Sequence, residues 1–185
     1  MHNKLNRSLM TATLIVVISS PLCSSACGPS PQKVTKEITI HAEPATVWAM
    51  VNDFGAMQKW HPDVLASKLE NKPDSEGKVT NFRTLTLKNG GSITEKQRET
   101  QVGEMKLGVV MIAGDIAVSS YSDALSVKPS LVTGESVVTW VGRFNNKANA
   151  MQATAGQDNA AAIAAVAARY DAGLQGLKQV LEMGH

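Results

Sequence analysis

The chain has 185 residues, 43% of them hydrophobic and 18% charged, proportions that suit a single globular domain. Its formal net charge is +2 and comes from Lys4 and Arg7; the rest of the chain sets 16 basic against 16 acidic side chains. That neutral remainder excludes the broad electrostatic footprint of a nucleic-acid or anionic-membrane binder.

Lys4 and Arg7 precede a short apolar run, Leu9 to Ile18, which is too short to span a bilayer permanently. Ser20 to Ala26 is a segment of small residues with one proline. The three parts together predict a secretory signal peptide over 1–26, cleaved near Ala26, and a periplasmic or secreted domain. Cleavage there makes Cys27 the first mature residue and opens an alternative, a lipoprotein anchored to the membrane through Cys27. Ser24 stands where a lipoprotein signal normally carries leucine. Cys23 leaves with the signal, so the mature chain has one cysteine and no internal disulfide. Residues 27–32, CGPSPQ, read as a linker, with the domain proper at 33–185.

The first strand is predicted at 34–40. Pro44 suits the first turn of a helix, whose apolar stripe is Val47, Trp48 and Val51. A second short helical turn follows at 57–63, stopped by Pro62. Strands are expected at 64–70, 79–87, 92–101, 105–111, 117–127 and 136–144, with a loop at 71–77. Residues 146–159 read as a mobile link. Ile163, Val166, Tyr170, Leu174, Leu177 and Leu181 recur at spacings of three and four, one face of a long helix over about 159–182. Its first half is nearly all alanine. The order implies an α+β fold, a mostly antiparallel sheet of about seven strands wrapped on the long C-terminal helix, with two short helices after the first strand. Such a grip is expected to enclose a cavity.

Within the segment FRTLTLKNGGSITE (82–95), Arg83 shares an inward face with Leu85 and Leu87. A three-residue turn at 89–91 keeps Ile93, Glu95 and Gln97 on that same face, and a two-residue turn would not. This register pairs Leu85 with Glu95 and Arg83 with Gln97, leaving Arg83 and Glu95 as diagonal neighbours. A buried charge demands a partner or water. The pair is therefore either the polar feature of a ligand cavity or a salt bridge closing the sheet. Glu95 is also a conceivable general base, although no second catalytic group accompanies it.

Trp60 on the second short helix is either a lid or packs on the first helix. His61 is either a ligand-contacting or proton-carrying group or, the preferred reading, an exposed histidine before a proline. Tyr121, Trp140 and Tyr170 are candidate cavity-lining residues. No metal-ligand spacing, phosphate loop or Ser-His-Asp set is evident, and no cofactor is called for.

The segments VWAMVNDFGAMQKWHP (47–62), RTLTLKNGGSITE (83–95), SYSDALSV (120–127), VTWVGRF (138–144) and YDAGLQGLK (170–178) resemble the START-like/Bet v 1-like superfamily. Its bacterial members are often called polyketide cyclase/dehydrase or SRPBCC proteins. Within it the chain looks most like the MxaD-type branch, named for a periplasmic accessory protein of methanol oxidation. The resemblance runs from about Val34 to the end and implies the helix-grip fold. It implies three functions: binding of a small, largely apolar molecule by Trp60, Arg83, Leu85, Glu95, Gln97, Tyr121, Trp140 and Tyr170; docking as an accessory factor onto a periplasmic dehydrogenase; or cyclase/dehydratase-like chemistry. For the last, Arg83 and Glu95 match polar residues that lachrymatory-factor synthase-like relatives use. The binding reading is preferred and an enzyme is the less favoured one.

Overall fold

The computed structural model describes residues 28–183; the expected signal peptide and Cys27 lie outside them. The elements are β1 (Gln32–Ile40), α1 (Pro44–Asn52), a 3-10 turn (Met57–Lys59), β2 (Val64–Pro73), β3 (Val79–Leu87), β4 (Ser92–Gln101), β5 (Lys106–Gly114), β6 (Val118–Pro129), β7 (Ser136–Asn146) and α2 (Asn159–Met183). All seven strands form one antiparallel sheet in the order β1-β7-β6-β5-β4-β3-β2. This is the helix-grip fold expected from the sequence.

Period-two patterning sets the inner face. On β7 the residues Val138, Trp140, Gly142, Phe144 and Asn146 all point inward and are buried. On β6 the buried residues are Val118 and then Tyr121, Leu125 and Val127, a change of parity. A bulge between Ser119 and Ser122, with Ser120 at a φ of 48°, absorbs the extra residue.

Helix α2 lies over the inner face and packs chiefly against β1 and β7. The Asp158 side chain accepts a bond from the Ala161 N–H at 2.8 Å, an N-cap that fixes where α2 begins. Ala162, Val166, Tyr170, Leu174, Leu177 and Leu181 are its buried apolar stripe. Ile163, read as part of that stripe, stays 39% exposed; Ala162 takes the inner position. The glycines let α2 come close. A Cβ on Gly176 would overlap the Trp60 carbonyl oxygen, and one on Gly142 would overlap the Tyr170 hydroxyl.

Three other expectations are corrected. The β3–β4 loop is three residues long but sits one residue earlier, at 88–90, closed by a bond from the Leu87 N–H to the Gly91 carbonyl. Gly90, at a φ of 88°, supplies the left-handed position, so the register follows Gly90 rather than Gly91. Arg83 consequently faces Glu95 directly, and Leu85 faces Ile93. The loop read at 71–77 is a turn at 74–77, because β2 continues to Pro73 and the Asp74 carboxylate ties the N–H groups of Glu76 and Lys78. The link at 146–159 is pinned rather than loose. Buried Asn146 donates to the Ala150 carbonyl and to the Asn159 side chain, and accepts from the Ala150 N–H.

Candidate functional site

Glu95 is 1% exposed and sits between two arginines. Arg83 donates through Nε to one carboxylate oxygen at 2.6 Å, and Arg169 donates through Nη2 to the other at 3.4 Å. Arg83 also donates to the Phe54 carbonyl at 3.0 Å, and its guanidinium lies 4.3 Å from the centre of the Phe54 ring. Arg169 reaches the Met57 sulfur at 3.8 Å. Both arginines are buried. Two fixed positive charges thus meet one carboxylate.

A second carboxyl, that of half-buried Asp123 on β6, stands nearby. It accepts from the Tyr121 hydroxyl at 2.5 Å and from the Trp140 indole at 3.0 Å. With the Tyr121 proton given to Asp123, the Tyr170 hydroxyl is the donor in the 2.6 Å bond to Tyr121. Burial and then the negative charge of Glu95 push the Asp123 carboxyl up to about 6. Burial likewise pushes both tyrosine hydroxyls well above their ordinary value. The Trp140 and Tyr170 rings stack at 4.3 Å with 10° between their planes.

His61, expected to be exposed, is 1% exposed. Its Nε2 donates to the Arg169 carbonyl at 3.1 Å and its Nδ1 accepts from the Asp63 N–H at 3.2 Å, so the ring is the neutral Nε2–H tautomer. Burial, and next the charge of Arg169, lower it to about 3. Its burial follows from Gly173 on α2, where a Cβ would lie 2.8 Å from the ring. Trp60 is neither a surface lid nor merely a partner of α1. It is 5% exposed and meets Trp140 edge-on at 5.9 Å. Its indole N–H is buried without a partner.

These side chains fill the grip. The inner cavity, bounded by Met57, Trp60, Arg83, Asp123, Leu125 and Trp140 among others, holds only about 10 Å³, close to the room one water needs. The expected ligand-sized enclosed cavity is therefore replaced by a packed polar centre. An open groove of about 570 Å³ lies at the alanine-rich end of α2. Leu87, Ile116, Ala165 and Ala168 give it apolar walls; Asp63, Lys88 and Asn89 are at its edge, and Arg169 belongs to both groove and centre.

A family model described as polyketide cyclase/dehydrase and lipid transport matches residues 31–182. The chain belongs to this family. Its relatives include the abscisic acid receptor PYL7 of Arabidopsis thaliana, 28% identical over 100 residues; the match covers 52% of this chain and only 46% of the receptor. The protein XoxI of Bacillus cereus has the same fold, with a TM-score of 0.67, 22% identity, and coverage of 83% of this chain and 98% of that one. A START superfamily protein from Mycobacterium smegmatis matches with a TM-score of 0.65 at 15% identity, covering 83% and 99%. An uncharacterised protein from Bacillus thuringiensis matches at 0.67 and 22%, covering 81% and 98%. Membership of the polyketide cyclase/dehydrase and lipid transport family places the chain in the START-like superfamily, whose fold suggests a ligand-binding domain.

Of the residues read as a site, this family member brings Trp60, Arg83, Glu95, Tyr121, Trp140 and Tyr170 into or around one buried centre. Leu85 is a fully buried core residue. Gln97 is held apart, bonded to Asn81 and Thr100 at 2.8 Å each. Arg169 and Asp123 are the polar members that the sequence reading left out, and His61 is the one it read as exposed. Asp123 was open to the argument used for Arg83, because it shares the inward parity of Tyr121 and Leu125.

Proposed function

We propose that this protein binds a small, largely apolar molecule with one anionic end, in an extracytoplasmic space. The ligand's apolar body lies in the groove between the alanine-rich half of α2 and the β3–β4 loop, and its anionic end meets Arg169. The observation that carries this reading is the position of Arg169. It lies at the groove, buried, with only a long 3.4 Å contact to the carboxylate that Arg83 already holds at 2.6 Å. A guanidinium so placed is short of acceptors, and a ligand carboxylate offers a bidentate partner. The family description and the receptor among the relatives support ligand binding in general.

A dansyl-labelled undecanoic acid tests this. The acid is expected to bind saturably and at least about tenfold more tightly than its methyl ester, the difference one charge-assisted hydrogen bond makes. Arg169→Gln should erase that preference. Equal binding of acid and ester, or none of either, overturns the reading.

The extracytoplasmic location rests on the N-terminal pattern of Lys4, Arg7, the apolar run and the small-residue segment. Intact mass of the protein from its native host should show a chain beginning at Cys27. A diacylglycerol-sized increment on Cys27 would identify the membrane-anchored form, and an intact Met1 would refute export. The accessory role at a dehydrogenase remains the second reading, and the charged outer face described next favours it. Cyclase-like use of Glu95 as a base is disfavoured, since two arginines hold its carboxylate.

A further inference from the structure

The outer face of the sheet, on the side away from α2, carries a trough of about 720 Å³ across β4–β7. Its floor is made of small side chains, Ser122, Ala124 and Ser126 on β6, beside Val141. Its rim is basic. Arg98, Lys106, Lys128 and Arg143 stand around it, all exposed, and among the described residues that line it Glu104 is the exposed carboxylate. Asp123 also borders it, but its carboxylate is engaged by Tyr121 and Trp140 on the inner face. Among the described residues, none of the four cations makes an ion pair, although Lys36, Lys59, Lys68, Lys72, Lys96 and Lys178 elsewhere do.

We infer that this trough is a docking surface for an extended acidic segment of a protein partner. The segregation of charge is the argument. Among the described residues, a chain whose charges balance after residue 26 has gathered four cations with no ion pair around one depression, against Glu104 as the exposed carboxylate of its lining. The geometry favours a polypeptide. From Ser122 to Lys128 the floor runs about 20 Å, the length of some six extended residues. Arg143 pairs with Ser122 at one end, and Lys106 pairs with Ser126 at the other, so cations lie along the whole length rather than at one point. The small floor residues admit a backbone, and the hydroxyls of Ser122 and Ser126 offer it hydrogen bonds. A lipid surface fits less well, because Val141 is the one large apolar side chain among the described residues that line the trough, and it lies in the floor. Charge complementarity of this kind sets encounter rate and register more than raw affinity, so a weak, salt-sensitive complex is expected. The surface is on the opposite side of the sheet from the proposed ligand groove, and the inference stands independently of that reading.

A fluorescein-labelled octaglutamate peptide tests it by anisotropy at low salt. Saturable binding is expected, weakening steeply as salt rises. The double variant Arg98→Ala/Arg143→Ala should bind about tenfold more weakly. Lys78→Ala/Lys147→Ala removes two exposed cations elsewhere and should bind like the parent. All these residues are exposed, and thermal melts of both variants should match the parent's. Equal losses in the two variants would mean general charge attraction and overturn the inference. So would absence of peptide binding, or binding of phosphatidylserine vesicles in its place.

Discussion

Glu95→Gln should destabilise the fold by about 3–5 kcal/mol, the range for breaking a buried ion pair from one side. The carboxylate is sealed and Arg83 is sealed with it, while Arg169 closes the side toward the groove and is 9% exposed. Glutamine keeps the volume and one acceptor but removes the charge. Arginine cannot release its proton to escape, so two buried cations remain without the carboxylate that held them. Urea denaturation with an unchanged m-value is the measurement. A second readout is independent of stability. With the Glu95 charge gone, the repulsion that helps raise the Asp123 carboxyl disappears, and its titration, followed by carboxyl NMR, should move down from about 6. A water-filled cavity around the pair, one of the resolutions open in the sequence, predicts little loss of stability. A variant within about 1 kcal/mol of the parent would restore that picture and refute the sealed centre.

The fold was legible because its signals are local. Alternation in 136–144, the Asn-Gly-Gly turn and the three-and-four spacing after 163 each demand one kind of element, and only one layered packing accommodates their order. The inward direction of Arg83 and Glu95 was legible for the same reason, since parity survives a register shift of two. Their direct pairing was not, because the choice of Gly90 over Gly91 for the left-handed position decides it, and both glycines fit a three-residue loop.

What the sequence concealed is set by contacts distant in the chain. His61 precedes a proline in a loop-like stretch, and nothing local says that Gly173, over a hundred residues later, leaves room for its ring. Arg169 adjoins Tyr170 on the buried side of α2, but a long side chain in an alanine-rich turn reads as solvated until Glu95 and Met57 are seen beneath it. Interior volume is concealed in the same way. Four large side chains, Trp60, His61, Trp140 and Tyr170, each have a plausible place on their own element. Only their convergence on one point, at ring separations of 4.3 to 6.3 Å, turns the expected cavity into a packed centre.

His61 and Asp123 should give this centre opposing responses to acid. The folded state holds His61 down at about 3 against 6.5 for a free side chain, so below pH 6.5 the unfolded chain takes a proton that the folded chain refuses. Stability is lost at about 1.4 kcal/mol per pH unit from there toward pH 3, some 4–5 kcal/mol in all. Asp123 does the reverse. Raised to about 6 against an ordinary 3.8, it binds its proton earlier in the folded state and returns about 3 kcal/mol as pH falls from 6 toward 4. Between pH 6 and 4 the two slopes nearly cancel, and below pH 4 Asp123 no longer offsets the His61 loss. His61→Gln is neutral at every pH and can still donate to the Arg169 carbonyl. Its stability relative to the parent should therefore rise steadily as pH drops from 6.5 to 3, by roughly 1.4 kcal/mol per unit. Taking that difference from urea midpoints at each pH removes every titration the two chains share. A difference that stays constant across the range would mean that His61 titrates alike in the folded and unfolded chains, and that the ring is not enclosed beneath α2.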